Sequence, residues 1–212
     1  MTIPIDDFID DDFVKSQDLS VVILKNINKN EDIKKKCFNL VKKNMFAMYK
    51  RSCFGWEDSE KLKEMSLTPL VYVCLLHEQS KELVAFTSLE DTEEDNVPCL
   101  YMYELQVCLK YRAHKLGSWL TYQAAVLAHE YFQKDYIFLT VFSENKKAMS
   151  FYKKFGFKRH TSSPAAIRKL RSGRIIEPDY YIFYSSVATI TRRSKDILTK
   201  DLDSATGTIS GA

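Results

Sequence analysis

Residues 100–120, LYMYELQVCLKYRAHKLGSWL, constrain this chain more than any other stretch. An aromatic-rich strand, Tyr101 to Val107, runs into a basic turn, Lys110 to Gly117, and the turn opens a helix at Ser118-Trp119-Leu120. Strand, basic turn and helix in that order present free backbone N–H groups and a positive helix end to an anion. Glu104 stands on the same strand. The stretch therefore sets an anion cradle beside a carboxylate that could act as a base.

The rest of the chain reads as elements that could carry it. Val21 to Leu24 is a short apolar strand, and Lys25 to Asn30 an Asn-rich loop. Glu31-Asp32 suit the first turn of a helix whose Ile33, Cys37, Leu40, Val41, Met45 and Met48 follow helical spacing. An aromatic loop, Phe54-Gly55-Trp56, and a charged helix over 58–65 follow. Strands over 71–77 and 83–89 form an expected hairpin, and Glu90 to Asn96 reads as an acidic connection. Beyond the opening stretch, Leu116, Trp119, Leu120, Ala124, Leu127 and Tyr131 mark a helix, and Tyr136 to Phe142 is a continuous apolar strand of the buried, parallel-compatible kind. A helix through Phe151 and Tyr152 stops at Gly156, where glycine favours a C-cap. A strand from Phe157, a polar loop over 161–178 and a last strand over 180–187 complete the order. This is an α+β chain with a central mixed, twisted sheet flanked by helices.

Composition narrows the class. The 212 residues suffice for one large domain with tails, and 45% hydrophobic residues argue against global disorder. We divide the chain into an acidic segment over 1–17, a folded domain over 18–190 and a polar, disordered tail over 191–212. The first segment is expected to be loose; the alternative is that Phe8, Phe13 and their apolar neighbours wrap the domain. A net charge of +3 gives no reason to require nucleic acid. The five cysteines have no CxxC spacing and read as reduced thiols, while four scattered histidines do not form zinc spacing, so no metal is expected. No apolar run reaches membrane-span length and the acidic start is no presequence, so a soluble intracellular protein without membrane partners is expected.

Two motifs then carry a resemblance. Arg112-Ala113-His114-Lys115-Leu116-Gly117 resembles the pyrophosphate loop of the GNAT acetyltransferases, Arg/Gln-x-x-Gly-x-Gly/Ala. Asn145 to Phe157 matches that family's Asn-x-x-Ala-x-x-Phe-Tyr-x-x-x-Gly-Phe. A narrower resemblance, over roughly residues 35–187, is to the NatD branch, the N-alpha-acetyltransferases selective for the amino termini of histone 4 and histone 2A. It rests on Asn44 to Tyr49, Phe54-Gly55-Trp56, Leu100 to Gln106, Leu139 to Phe142 and Ser162-Ser163-Pro164.

The resemblance implies a GNAT fold, acetyl-CoA as co-substrate, and roles residue by residue. Acetyl transfer from a thioester to an amine needs a base, stabilisation of the oxyanion and a grip on the cofactor. Glu104 is implied as the base, with Tyr49 and Tyr103 relaying a proton or holding substrate; read without the resemblance, Glu104 is better taken as a strand-edge carboxylate exposed to solvent. Tyr103 and Glu104 are adjacent, so for both to line one site the strand must bulge or splay. Tyr101 and Tyr181 are implied as peptide-groove residues, walled by Trp56 and by Phe54, where the branch commonly has Trp. Asp91 is the implied carboxylate for a cationic peptide, an ungapped count placing Thr92 there instead. Backbone N–H groups of Arg112, Ala113, His114, Lys115, Leu116, Gly117 and Ser118 are implied to bind pyrophosphate; Lys115 stands where the family has its first loop glycine. Val107, Asn145 and Tyr152 are implied to contact pantetheine or the thiol region. Core packing, or for Asn145 a helix N-cap, is the alternative at the aromatic and amide positions.

The expected activity is direct attack of the histone α-amine on acetyl-CoA in a ternary complex. The alternatives are a GNAT enzyme for other protein N-termini, lysine or polyamines, or an idle acyl-CoA- or histone-binding module. The resemblance further implies histone tails as partners, a monomer without auxiliary subunit, association with the ribosome, and presence in cytoplasm and nucleus.

Overall fold

The structure, a computed structural model, describes residues 4–67, 69–165, 168–169 and 175–199. In chain order its elements are α1 (Asp12–Lys15), β1 (Leu19–Leu24), α2 (Glu31–Arg51), α3 (Asp58–Met65), β2 (Val71–His77), β3 (Leu83–Glu94), β4 (Val97–Val107), α4 (Leu116–Val126, continued by a π turn over Leu127–Tyr131), β5 (Tyr136–Phe142), α5 (Lys146–Lys154), β6 (Lys158–Arg159), β7 (Arg168–Lys169), β8 (Ile175–Ile176), β9 (Tyr180–Ser186) and α6 (Val187–Thr199). Seven strands form one sheet in the order β1-β2-β3-β4-β5-β9-β6, and β7 pairs only with β8.

The sheet is mixed because one neighbouring pair is parallel. β4 and β5 run side by side from Leu100↔Ile137 to Met102↔Leu139, while every other pairing is antiparallel. After those three pairs the two strands part, and β4 continues to Val107 without β5 beside it. The gap lies where a sheet of this kind holds ligands, beyond the carboxyl end of a parallel strand.

Each face of the sheet buries its own apolar set. On one, Ile33, Cys37, Phe38, Leu40 and Val41 of α2 pack over Tyr72, Cys74, Leu76 and Phe86. The helical spacing of those residues puts them on one stripe. Asn30 caps the helix through Oδ1, which accepts from the Ile33 N–H at 3.0 Å. On the other face, Trp119, Leu120, Ala124 and Leu127 of α4, with Phe155, Val187 and Ile190, cover Val73, Leu75, Val84, Leu100, Met102 and Ile137.

Three expectations are corrected. The acidic run over 90–96 is not a loop: β3 continues to Glu94, and a tight turn at Asp95 (φ 52°) and Asn96 (φ 62°) returns the chain into β4. Asp and Asn tolerate left-handed backbone, so this turn suits a hairpin. The N-terminal segment is packed rather than loose: Ile5 and Val14 enter the core, and Trp119 Nε1 donates to the Asp10 carbonyl at 3.0 Å. Its apolar residues outweigh its acidic ones because the carboxylates stay at the surface while Ile5, Phe8 and Phe13 face inward. The tail expected from residue 191 is helical to Thr199; α6 buries Ile190 and Ser194, and residues 200–212 lie outside the described residues.

Candidate active site

A cleft of about 1770 Å³ opens where β4 and β5 part. β4 enters it through a bulge. Ser88 pairs with Glu104 and Leu89 with Met102, so Tyr103 is an extra residue between them. The extra residue breaks the alternation of the strand. Met102, Leu105 and Val107 face the α4 side, while the Tyr103 ring lies 5.1 Å from that of Tyr101 and Glu104 is buried with Gln106 on the α2 side. The bulge thus brings Tyr103 and Glu104 into one cleft, as the expected roles require.

Glu104 forms the floor. Its Oε2 accepts from Gln106 Nε2 at 2.7 Å and its Oε1 lies 2.8 Å from Lys61 Nζ. The Lys61 side chain is 4% exposed and that of Glu104 8%. Lys61 Nζ also meets Glu64 Oε1 at 2.8 Å and donates to the Tyr49 hydroxyl at 3.0 Å, so its three N–H donors have three acceptors. Burial, the largest single influence, would lower the Lys61 pKa, but the Glu104 charge, its hydrogen bond and the other acidic neighbours together outweigh it and the net shift is upward. Lysine 61 is therefore charged throughout the neutral range.

The tyrosines respond to the same field. Burial, then the Glu104 charge, pushes Tyr49 up to about 12 against the opposing pull of Lys61. Burial pushes Tyr101 up to about 12, opposed by its 2.6 Å bond with the Thr140 hydroxyl. Tyr103 is raised by burial and by a hydrogen bond with Glu90, and Tyr152 by complete burial and the Glu104 charge. All four stay neutral phenols at neutral pH, which makes them hydrogen-bond donors rather than bases.

One end of the cleft is aromatic and acidic. Tyr49 packs edge-to-face on Phe142 (4.9 Å) and on Trp56 (5.3 Å), and Phe54 is 53% exposed beside them. Glu57, Glu60, Glu64, Glu93 and Glu94 line this end. Glu144, which also lines the cleft, is held by Arg51, whose Nη2 and Nε donate to its two oxygens at 2.8 and 3.2 Å.

The other end is the basic turn. Ala113 (φ 72°) and Lys115 (φ 57°) both take left-handed backbone, and Lys115 is the N-cap of α4. Such a turn faces successive N–H groups one way and makes an anion nest at the helix start. Arg112, Ala113, Lys115, Leu116, Gly117 and Ser118 line the cleft here, with Val107, Asn145 and Tyr152 on its other wall. The turn fits a pyrophosphate, and the cleft from the nest to Glu104 is continuous. Arg112 Nη2 donates to Asn44 Oδ1 at 3.2 Å, and Lys115 Nζ reaches the Ile197 carbonyl at 2.9 Å instead of adding its charge to the nest. Asn145 lines the cleft and caps α5, its Oδ1 accepting from the Ala148 N–H at 3.1 Å.

Two expected residues lie elsewhere. Tyr181 is buried on the far face of β9 under the Arg159 guanidinium, 4.2 Å from its ring centre, and its neighbour Tyr180 is the one beside Phe54 (5.2 Å). Strand alternation decides between the two tyrosines, and a count along the sequence cannot. Asp91 is paired with Lys134 at 2.8 Å away from the cleft, because β3 runs on through the acidic stretch and turns it outward; Thr92 does line the cleft. The His114 ring packs edge-on to Tyr111, a side-chain placement that leaves its expected backbone N–H role in the turn untouched. Sequence reasoning missed Lys61, Glu64, Gln106 and Asn44. Lys61 hid in a charged helix whose i, i+3 and i, i+4 neighbours give no hint of burial.

Comparison with known proteins agrees with this geometry. The model of the acetyltransferase (GNAT) family matches residues 39–157, and the chain belongs to that family. It is similar to N-alpha-acetyltransferase 40 of Saccharomyces cerevisiae, with 34% identity over 180 residues; the match covers 69% of this chain and 62% of that protein's length. The fold is shared with an acetyltransferase from Streptococcus agalactiae (TM-score 0.58, 15% identity, 80% of this chain and 99% of that one). It is also shared with Arabidopsis thaliana NAA60 in complex with acetyl-CoA (TM-score 0.57, 13% identity, 80% and 99%).

Proposed function

We propose that this chain transfers the acetyl group of acetyl-CoA to the α-amine of a protein N-terminus, and that the N-termini of histone 4 and histone 2A are its substrates. The observation that carries this is one cleft with an anion nest at one end, an aromatic and acidic mouth at the other, and a buried carboxylate between them. Its similarity to a yeast N-alpha-acetyltransferase supports the choice of amine.

In this reading the turn over 112–118 holds the pyrophosphate through backbone N–H groups, and Val107 and Asn145 flank the pantetheine. The co-substrate supplies the thioester. Glu104 accepts the ammonium proton, directly or through a water, and Tyr49 or Tyr103 orients the amine. An α-amine has a pKa near 8 and a lysine one near 10.4, so freeing the α-amine costs about 3–4 kcal/mol less. That difference favours an α-amine for a carboxylate whose two oxygens are already hydrogen-bonded. Tyr152 stands where a leaving thiolate would take a proton. Glu64, Glu93 and Glu94, rather than Asp91, would meet a cationic side chain early in the peptide. The same reading carries with it a monomer acting in cytoplasm and nucleus.

The test is transfer from acetyl-CoA to a Ser-Gly-Arg-Gly-Lys peptide beside the same peptide with a blocked N-terminus. Acetylation of the free peptide alone is the expected result. Equal transfer to the blocked peptide overturns the α-amine reading.

A further inference from the structure

Lys61 comes from α3, an element that none of the expected roles touches, yet its ammonium is the nearest charge to Glu104. A buried carboxylate without a counter-ion is strongly disfavoured, and here the counter-ion is itself buried and fully hydrogen-bonded. The bond from Lys61 to the Tyr49 oxygen has a second consequence. It occupies that oxygen as an acceptor, so the phenol proton is left to donate. The fourth link runs the other way: Gln106 Oε1 accepts from Asn44 Nδ2 at 3.0 Å, which fixes the amide so that its Nε2 faces Glu104.

We propose that Lys61 is a positioning residue for acetyl transfer, holding Glu104 as an oriented carboxylate and Tyr49 as an oriented donor at the point where the amine is deprotonated. The proposal rests on the functional reading above in that Glu104 is the base. Lys61 itself touches neither substrate nor thioester in this arrangement; it acts through the two groups it binds. Its third partner, Glu64, is 41% exposed on its side chain and anchors the ammonium from the solvent side.

The other groups around Glu104 cannot replace it. Tyr49 and Cys37 face it from α2, Tyr72 from β2 and Tyr152 from α5, and each of the four is pushed up by burial first and by the Glu104 charge in addition, so each is neutral. Gln106 is neutral and Glu64 has the same sign as Glu104. Among the described residues in contact with Glu104, Lys61 is the one cation.

Three variants test this. In Lys61→Met the acidic limb of the kcat–pH profile is expected to move up by more than one unit, with kcat at pH 7.5 down about 100-fold. Lys61→Arg, which keeps the charge, is expected to leave the limb in place and restore at least a tenth of the rate. An unmoved limb in Lys61→Met would overturn the proposal, leaving Lys61 as packing. Should Lys61→Met not fold, Lys61→Met/Glu104→Gln/Tyr49→Phe, which buries no unpaired charge, is compared with Glu104→Gln/Tyr49→Phe, which already lacks both groups Lys61 acts through. Equal rates are expected, and a further 10-fold loss in the variant lacking Lys61 overturns the proposal. A readout without turnover separates this from the functional reading: the 13C-carboxyl chemical shift of Glu104 at pH 7.5 is expected to differ between Lys61→Met and the wild type, because its 2.8 Å partner is gone. If the wild type acetylates no α-amine, the functional reading falls; if the Glu104 signal is unmoved by removing Lys61, this proposal falls.

Discussion

Two regions of the cleft, the nest at one end and the floor at Glu104, are built by different means. The nest over 112–118 is built from consecutive backbone groups, shaped by left-handed residues at 113 and 115 and by the start of α4. The floor at Glu104 is built from side chains of α2, α3 and β4, joined by Lys61 and Gln106. A backbone site tolerates changes in its side chains, because the N–H groups stay. A side-chain site tolerates few, because each member holds the next. The two regions should therefore fail differently under substitution.

The floor should give the largest effect. Glu104→Gln keeps the shape and removes the base, so kcat is expected to fall by about 10²–10⁴, with KM for acetyl-CoA unchanged. Steady-state kinetics at saturating peptide measure this. A rate within threefold of wild type would mean that no side chain at the floor acts as base, and the contrast between the two regions would collapse.

That contrast also explains how much could be read in advance. The strand, turn and helix of residues 100–120 and the span from Asn145 to Gly156 are continuous in sequence, so their elements and their cleft-facing positions were readable from spacing and motif. Lys61 was not, because burial of a lysine is decided by partners 12 and 43 positions away, Tyr49 and Glu104. Tyr180 was passed over for Tyr181 because one residue in a strand reverses the face. The run over 90–96 was read as a loop because its charges obscure β pairing, which is set by the backbone and by the Asp95-Asn96 turn. The packed N-terminus was weighed and set aside, since a few apolar residues among many Asp do not show what they will touch.

The element shared by both regions is α5, whose Phe151 lies over Gly117 and whose Tyr152 lies in the field of Glu104. It ends at Gly156 with φ +87°, and a Cβ there would stand 2.5 Å from the Thr189 methyl of α6. Gly156→Ala is expected to destabilise the fold by about 2–4 kcal/mol, from left-handed strain plus overpacking. Urea unfolding reads this. If stability is lost while kcat and both KM values of the folded fraction hold, α5 is a rigid support for both regions. If acetyl-CoA KM alone rises, α5 belongs to the nest.

Tyr101 tests the mouth by itself. Its ring lies against Tyr103 and its hydroxyl against Thr140, outside the Lys61 network. Tyr101→Ala is expected to raise peptide KM about tenfold, equivalent to about 1.4 kcal/mol of lost contact, with acetyl-CoA KM unaltered. Unchanged peptide kinetics would remove Tyr101 from the groove.

The smallest effect is expected where the family pattern is broken. Lys115 adopts φ 57°, a conformation that costs an L-residue about 1–2 kcal/mol and a glycine almost nothing. Its ammonium binds the Ile197 carbonyl of α6, so its charge is directed to the helix end and not to the nest. Lys115→Gly exchanges that bond for relief of strain and leaves every N–H of the turn in place. Acetyl-CoA KM is expected to stay within about threefold, since the backbone N–H groups that form the nest are retained and the left-handed strain is released. Isothermal titration with CoA measures the binding part of this effect without turnover. A loss of tenfold or more would show that the nest depends on its side chains after all, and would make the two regions of the cleft alike.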